Sequence, residues 1–61
     1  MIKSVRIFDD GLSVTYWVEY ENGIIRIYDG LEVDLDEFVD GLTQVYSSIY
    51  CGMWRATYER R

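Results

Sequence analysis

The stretch Phe8–Gly30, FDDGLSVTYWVEYENGIIRIYDG, decides the fold that the sequence predicts, because it places two turn signals between three apolar runs. The first signal is Asp10-Gly11 and the second is Asn22-Gly23. Both pairs favour two-residue hairpin turns, since Asn, Asp and Gly tolerate the positive φ angles that such turns require. The stretch therefore predicts two successive β-hairpins.

Each predicted turn fixes the register of the strands beside it. The expected cross-strand pairs are Ile7 with Val14, Val5 with Tyr16, Val18 with Ile27, and Trp17 with Tyr28. Side chains directly opposite each other in an antiparallel pair lie on the same face of the sheet. A three-stranded meander is thus expected to collect one set of apolar side chains on one face: Val5, Ile7, Val14, Tyr16, Val18, Ile25 and Ile27.

Residues 35–50 carry apolar side chains at steps of three and four, which is the spacing of one buried helical face. Asp34 is the predicted N-cap, with Glu37 three residues later completing a capping box. Gly52 follows the last apolar residue and suits the end of a helix. The apolar positions of this predicted helix are Leu35, Phe38, Val39, Leu42, Val45, Tyr46, Ile49 and Tyr50.

The last apolar stretch, MWRATYER, alternates, with Trp54, Ala56 and Tyr58 on one side. This period of two predicts a fourth strand. The predicted fold class is α+β, in the order β-β-β-α-β. It consists of an antiparallel three-stranded meander plus a fourth strand, with one helix packed on one sheet face, in a single domain of residues 1–61.

Composition excludes several classes of function. The 61 residues include one Cys and no His, so the chain can form neither an internal disulfide nor a Cys/His zinc site. No familiar nucleophile motif is present, so we expect neither enzymatic activity nor a cofactor or bound metal. A lone thiol suits the reducing cytoplasm. No apolar run approaches the roughly 18 residues of a membrane span, so we expect no membrane partner.

Negative charge is concentrated in the acidic segment, Asp29–Asp40, which has no basic residue. The chain has 6 basic and 11 acidic residues, a net charge of −5. Carboxylates in the first turn of a helix are stabilised by its dipole, so one interpretation is a solvated helix start. The other is a surface that binds a partner. The candidate residues are Asp29, Glu32, Asp34, Asp36, Glu37 and Asp40.

A second candidate is the sheet face that the helix leaves uncovered, since one helix buries only one face. Phe8, Trp17 and Tyr28 are expected there, and Trp and Tyr are favoured interface anchors. The face would serve a homodimer packed sheet to sheet, or a foreign protein. Bases also stack on sheet aromatics, but the net negative charge opposes a polyanion, so direct nucleic-acid binding is not expected.

Short length, strong acidity, dense aromatics and absent catalytic groups together resemble the small phage-encoded inhibitors of host nucleic-acid enzymes. Anti-CRISPR proteins and uracil-DNA glycosylase inhibitors are examples of this class. The resemblance is one of overall character and involves no aligned motif. It implies that carboxylates of the acidic segment occupy, in the host cytoplasm, a basic groove that normally holds phosphates. The alternative function is a homodimeric accessory or structural interaction domain that uses the aromatic sheet face, with acidity serving solubility.

Overall fold

The computed structural model describes residues 1–60, which form one antiparallel sheet of five strands and one short helix. The elements are β1 (Ile2–Asp9), β2 (Val14–Tyr20), β3 (Ile25–Asp29), α1 (Asp36–Val39), β4 (Thr43–Tyr50) and β5 (Met53–Glu59). Their order across the sheet is β3-β2-β1-β5-β4. The predicted meander and last strand are confirmed, but the protein is mostly sheet, so the predicted α+β class holds only loosely.

The predicted long helix is wrong. Helix α1 is a single turn of four residues, and residues 43–50 form β4 instead. The predicted capping box is also wrong, because Leu35 is the N-cap position and no side chain caps the helix. Asp34 contributes its backbone carbonyl, which accepts the N–H of Glu37 at 3.2 Å. The chain leaves the helical conformation at Asp40, whose ψ of 125° is extended.

The first hairpin closes through a four-residue loop, Asp10–Ser13, and not through a two-residue turn. Asp9 pairs with Val14, so Ile7 lies opposite Tyr16 and not opposite Val14 as predicted. The Asp10 carboxylate stabilises this loop by accepting the N–H groups of Leu12 and Ser13 at 2.9 and 2.7 Å. The predicted register is therefore wrong by two residues, which leaves every side chain on its predicted face.

The second hairpin has a three-residue loop, Glu21–Gly23, with Gly23 at a φ of +89°. The N–H of Gly23 donates to the carbonyl of Tyr20 at 2.9 Å, the pattern of a turn followed by a glycine bulge. Trp17 therefore pairs with Ile27 and not with Tyr28. This one-residue difference exchanges the two faces of β3, because side chains alternate along a strand.

The third hairpin, between β4 and β5, turns tightly at Cys51-Gly52. Both residues have positive φ angles, of 51° and 75°, which is the geometry of a type I′ turn. The prediction that Gly52 ends a helix is thus wrong. Because β5 pairs with β1 on its other side, the hairpin extends the meander to five strands.

One face of the sheet is covered, and the core lies beneath that cover. The buried side chains are Val5, Ile7, Tyr16, Val18 and Ala56. The connection of residues 30–42 runs from β3 at one edge to β4 at the other and packs Leu35, Phe38, Val39 and Leu42 onto this core. We call this side the covered face and the opposite side the open face. The two faces therefore present different side chains.

Candidate functional site

The acidic segment lies mostly on the connection over the covered face. Its six carboxylate residues are all exposed. Among residues 1–60 the one ion pair joins Lys3 to Glu19, so none of the six is paired there. Arg60 comes near the end of the connection at Gly41, but its guanidinium donates to the carbonyl oxygen of Ile2 at 3.0 Å. The carboxylates of the connection therefore face solvent without an ion-pair partner in the described chain.

Asp29 differs from the other five acidic residues. It is the last residue of β3, where it pairs with Thr15 on the open face. Its Oδ1 accepts the backbone N–H of Leu31 at 2.9 Å, which stabilises the start of the connection. Asp29 thus has a local structural role. The carboxylates that lie together over the covered face are Glu32, Asp34, Asp36, Glu37 and Asp40.

Apolar residues between these carboxylates hold the connection in place. The ring of Phe38 lies 4.7 Å from the ring of Tyr28 and 6.0 Å from that of Tyr16, measured between centroids. Tyr16 belongs to the buried core, so this contact ties α1 to the sheet. Because the apolar side chains point inward, the acidic ones that alternate with them point to solvent.

The same carboxylates act on the core electrostatically. Burial raises the pKa of Tyr16, and the negative charges of Asp34, Asp9 and Asp36 raise it further. Each of these effects disfavours the tyrosinate anion. Asp34 and Asp36 are thus close enough to Tyr16 for their charges to influence a core side chain, although they themselves remain exposed.

The open face consists of three rows of side chains that run across all five strands. The first row is Thr43, Glu59, Ser4, Glu19 and Ile25. The middle row is Tyr46, Thr57, Arg6, Trp17 and Ile27. The third row is Ser48, Arg55, Phe8, Thr15 and Asp29. Tyr50 and Met53 extend the face beyond the third row, over β4 and β5.

Aromatic contacts join the centre of the open face. Phe8 meets Trp17 edge to face at 5.8 Å, and the guanidinium carbon of Arg55 lies 5.9 Å from the centroid of the Phe8 ring. Phe8 and Trp17 are therefore on the predicted face. Trp17 is 42% exposed and Ile27, its neighbour on β3, is 62% exposed. The face thus presents a contiguous apolar area at its β2–β3 side.

Tyr28 is on the opposite face from the one predicted. It packs on the core side, and its hydroxyl lies 3.1 Å from the hydroxyl of Tyr20. This hydrogen bond is the main reason why the pKa of Tyr20 is raised, with burial adding to it. Ile25 and Ile27, which were predicted in the core, are exposed in its place. Both errors have one cause, the one-residue register difference at the second hairpin.

Sequence reasoning also missed the contribution of β4. Tyr46 and Tyr50 were assigned to a buried helical face, but they lie exposed on the open face. Together with Met53 and Arg55 they line a shallow depression at that end of the sheet. The signal that could have found them is composition, because TQVYSSIY is rich in the β-branched and aromatic residues that favour strands.

The two faces differ in charge. The open face carries the basic residues Arg6 and Arg55, and Lys3 reaches it through its ion pair with Glu19. It also carries three acidic residues, Glu19, Asp29 and Glu59, so its formal charge is zero. The negative charge of the protein is consequently displaced toward the covered face. A partner would meet an acidic surface on one side and a neutral, apolar one on the other.

Comparison with known protein families, with curated proteins and with solved structures finds no match for this chain. Within residues 1–60, no helix has the length and apolar character needed to cross a membrane. In the same part of the chain, no three Asp, Glu or Cys side chains converge as the ligands of a metal ion would. Function must therefore be inferred from the two faces themselves.

Proposed function

We propose that this protein is a small acidic binding protein that inhibits a nucleic-acid-handling enzyme by occupying its basic groove. The carboxylates of the acidic segment would stand where phosphates of the nucleic acid normally bind. The observation that carries the proposal is that Glu32, Asp34, Asp36, Glu37 and Asp40 are all exposed and have no ion-pair partner within residues 1–60.

The density of these charges is comparable with that of a nucleic-acid strand. The connection crosses from one edge of a five-stranded sheet to the other, and four interstrand spacings amount to about 19 Å. Five carboxylates over this length give on the order of one charge per 4 Å, close to the roughly 3.4 Å per phosphate of one DNA strand. A groove lined with Lys and Arg would therefore meet a similar field.

Local stability does not account for the acidity. The helix dipole favours carboxylates in the first turn of a helix, but α1 has only one turn and lacks a side-chain cap. Asp36 begins this turn and Asp40 follows its end, and neither carboxylate has an ion-pair partner within residues 1–60. A segment that keeps five carboxylates under these conditions is better explained by a partner than by folding.

The proposal defines the partner by its chemistry. A basic groove of a cytoplasmic nucleic-acid-binding protein would attract the acidic segment, and the attraction would weaken with salt. Membranes and nucleic acids carry the same sign of charge as the segment, so neither is an expected ligand. The mechanism is occlusion, which requires no catalysis and no cofactor.

The test is a capture experiment with a matched control. Immobilised protein is exposed to nuclease-treated bacterial lysate, and bound proteins are eluted first with duplex DNA and then with rising salt. Mimicry predicts a nucleic-acid enzyme that duplex DNA displaces and whose activity the free protein inhibits. The Asp36→Lys/Asp40→Lys variant should lose both capture and inhibition.

Glu21→Lys/Glu59→Lys is the control, since both are exposed acidic residues outside the acidic segment and their reversal changes the net charge by the same amount. This variant should retain capture and inhibition. Circular dichroism should show that all variants are folded. Inhibition that survives reversal of Asp36 and Asp40 would overturn the mimicry proposal, as would capture that duplex DNA and salt leave unchanged.

A further inference from the structure

Strand β4 is one of the two edges of the sheet, and its outer side has no neighbouring strand within residues 1–60. It is eight residues long, contains no charged residue and no Pro, and is exposed over most of its length. The opposite edge, β3, has five residues, of which Arg26 and Asp29 are charged. Charge and short length protect an edge strand from pairing with another chain. Strand β3 has this protection, whereas β4 lacks it.

The turn that follows β4 fixes which of its backbone groups point outward. In a β-turn the carbonyl of the first residue accepts the N–H of the fourth, so Tyr50 and Met53 form a hydrogen-bonded pair. Hydrogen-bonded and non-hydrogen-bonded pairs alternate along an antiparallel ladder, so Ser48 is also bonded to β5. The backbone N–H and C=O groups of Ser47 and Ile49 consequently point away from β5. They are available to another strand.

We infer that β4 pairs antiparallel with β4 of a second copy of this chain, about a two-fold axis that runs perpendicular to the sheet beside Ser48. A β-bulge between Gln44 and Tyr46 interrupts the ladder, so the regular part of the strand is residues 46–50, with Ser48 at its centre. The two sheets then form one continuous sheet. This inference does not depend on the proposed inhibition, because the acidic segment lies on the connection and not on this edge.

The regular part of β4 is complementary to itself about this axis. Ser48 lies opposite its own copy, where two hydroxyl groups can hydrogen-bond. Ser47 lies opposite Ile49 of the second copy, and because the backbone groups of both point outward, each such pair exchanges two main-chain hydrogen bonds. Tyr46 lies opposite Tyr50 of the second copy on the open face, and aromatic cross-strand pairs are favourable. An isologous interface requires this kind of self-complementarity.

The charges of the protein do not oppose this contact. On the sheet, the charged residue nearest the axis is Arg55, which pairs with Ser48. Its two copies are three interstrand spacings apart, about 14 Å, which exceeds the Debye length at physiological salt. The connection joins β4 at Thr43, about 17 Å along the strand from the axis, and does so at opposite ends of the two antiparallel strands. The two acidic segments are therefore kept apart.

A second copy fits this edge better than an unrelated strand does. Main-chain hydrogen bonds form with any extended segment, and selectivity comes from the side chains beside them. Tyr46 and Tyr50 border the shallow depression that Met53 and Arg55 also line. In the dimer each of these two tyrosines gains the other tyrosine of the second copy as its neighbour. The edge thus selects its own sequence through side chains that are exposed in a single copy.

The first test is the molecular mass in solution, measured by sedimentation equilibrium from micromolar to millimolar chain. We expect a reversible dimer. Ile49→Pro removes an outward-pointing N–H, which an edge strand tolerates, and should raise the dissociation constant by about tenfold or more. The matched control is Ile49→Thr, which keeps this N–H and a β-branched side chain and should retain the dimer. Circular dichroism should show that both variants are folded.

The second test locates the axis by disulfide formation, in a Cys51→Asn background that leaves no other thiol. Opposite residues of a non-hydrogen-bonded pair are about 4.5 Å apart between Cα atoms, which is within the range of a disulfide. Ser48→Cys should therefore give a covalent dimer on oxidation. Ser47→Cys is the control, because the two copies of Ser47 would lie diagonally, about 7–8 Å apart, and should not cross-link.

A wild-type protein that remains monomeric at millimolar concentration overturns the inference. So does equal dimerisation of Ile49→Pro and Ile49→Thr, because main-chain pairing at the edge would then contribute nothing. A dimer that Ser48→Cys leaves without a cross-link, or that Ser47→Cys links instead, overturns the inferred axis. Capture of another protein from lysate by a monomeric wild type, lost in Ile49→Pro and kept in Ile49→Thr, would assign the edge to a foreign strand and overturn the dimer as well.

Discussion

Gly30 donates its backbone N–H to the carbonyl oxygen of Val14 over 2.8 Å, at the point where the chain leaves β3 and begins to cross the sheet. The two residues are so close that a Cβ on Gly30 would lie 2.6 Å from Cγ1 of Val14 and 3.0 Å from Cζ of Tyr16. Only a residue without a side chain fits here. This contact sets the direction in which the connection, and with it the acidic segment, starts across the covered face.

Gly30→Ala should therefore destabilise the protein by about 1–3 kcal/mol, the usual cost of overpacking a close contact. Urea unfolding followed by tryptophan fluorescence measures this change. Val14→Gly removes both clashing atoms of Val14, Cγ1 at 2.6 Å and Cβ at 2.8 Å, so the double variant should be more stable than the sum of the two single changes predicts. Strict additivity would show that the close approach is not the cause.

The alternation of apolar and polar residues was enough to predict the faces of β1, β2 and β5. Val5, Val18 and Ala56 lie in the core as predicted, because the period of two applies whatever the register. The four-residue loop at Asp10–Ser13 changed the pairing by two residues and left the faces unchanged. A register error of two residues therefore does not change which side chains the alternating pattern predicts to be buried.

The turn at Asn22-Gly23 shows where such prediction fails. Both a two-residue turn and a three-residue turn with a bulge accept Asn-Gly, and they differ by one residue in register. That difference decides whether Tyr28 or Ile27 is exposed, so it altered the candidate site directly. Val18 of β2 lies in the core with either register of β3, so its burial does not decide between them. The local sequence does not distinguish the two turns.

The prediction of a helix over residues 43–50 failed for a different reason. Their apolar positions fit a helical spacing, and only pairing with β5 makes them a strand. Propensity favours the strand, but tertiary pairing supplies most of the stability of an edge strand. The acidic residues of residues 29–40 are exposed, and their clustering was visible in the sequence because charge requires no assignment of secondary structure. The exposed tyrosines of β4 were missed because placing them required the secondary structure of residues 43–50 to be assigned correctly.

The turn between β4 and β5 yields a second prediction. Cys51 has a φ of 51°, which is unfavourable for most residues with a side chain, whereas Asn tolerates it and Asn-Gly is a preferred type I′ pair. Cys51→Asn should raise the free energy of unfolding by about 1 kcal/mol. Cys51→Val should lower it, because β-branched residues avoid positive φ. Thermal melts with reductant present test both, and equal stability of the two variants would refute the assigned turn.

Alkaline stability yields a third prediction. The pKa of Tyr16 is raised above its ordinary value of 10.0, so the folded protein holds this proton more tightly than the unfolded chain. Stability linked to Tyr16 is then complete below pH 10 and is lost as the pH rises above it. Asp34→Asn removes one of the charges that raise this pKa, so the variant should lose less stability between neutral and alkaline pH than the wild type.

The control for this experiment is Glu32→Gln, which removes the same charge from the acidic segment at a residue that does not contribute to the raised pKa of Tyr16. Unfolding free energies measured in urea from neutral pH to above pH 10 give the comparison. Glu32→Gln should follow the wild-type curve more closely than Asp34→Asn does. Identical curves for the two variants would mean that only net charge matters.

The last prediction concerns the energetic effect of the acidic segment itself. Asp36 and Asp40 are exposed, like-charged and without an ion-pair partner in the described chain. Asp36→Asn together with Asp40→Asn should therefore stabilise the protein slightly at low salt, because both residues belong to a segment of like charges, and the gain should shrink at high salt.

Melting temperatures in low and high salt measure this effect, and Asp10→Asn serves as the contrasting control. Asp10 accepts two backbone N–H groups, which lowers the pKa of its carboxyl, so neutralising it should destabilise the first hairpin loop. A fold that becomes more stable when Asp36 and Asp40 are neutralised keeps those charges for a reason other than stability, as binding to a basic groove requires. A loss of stability would instead make the two carboxylates structural and remove the principal support for mimicry.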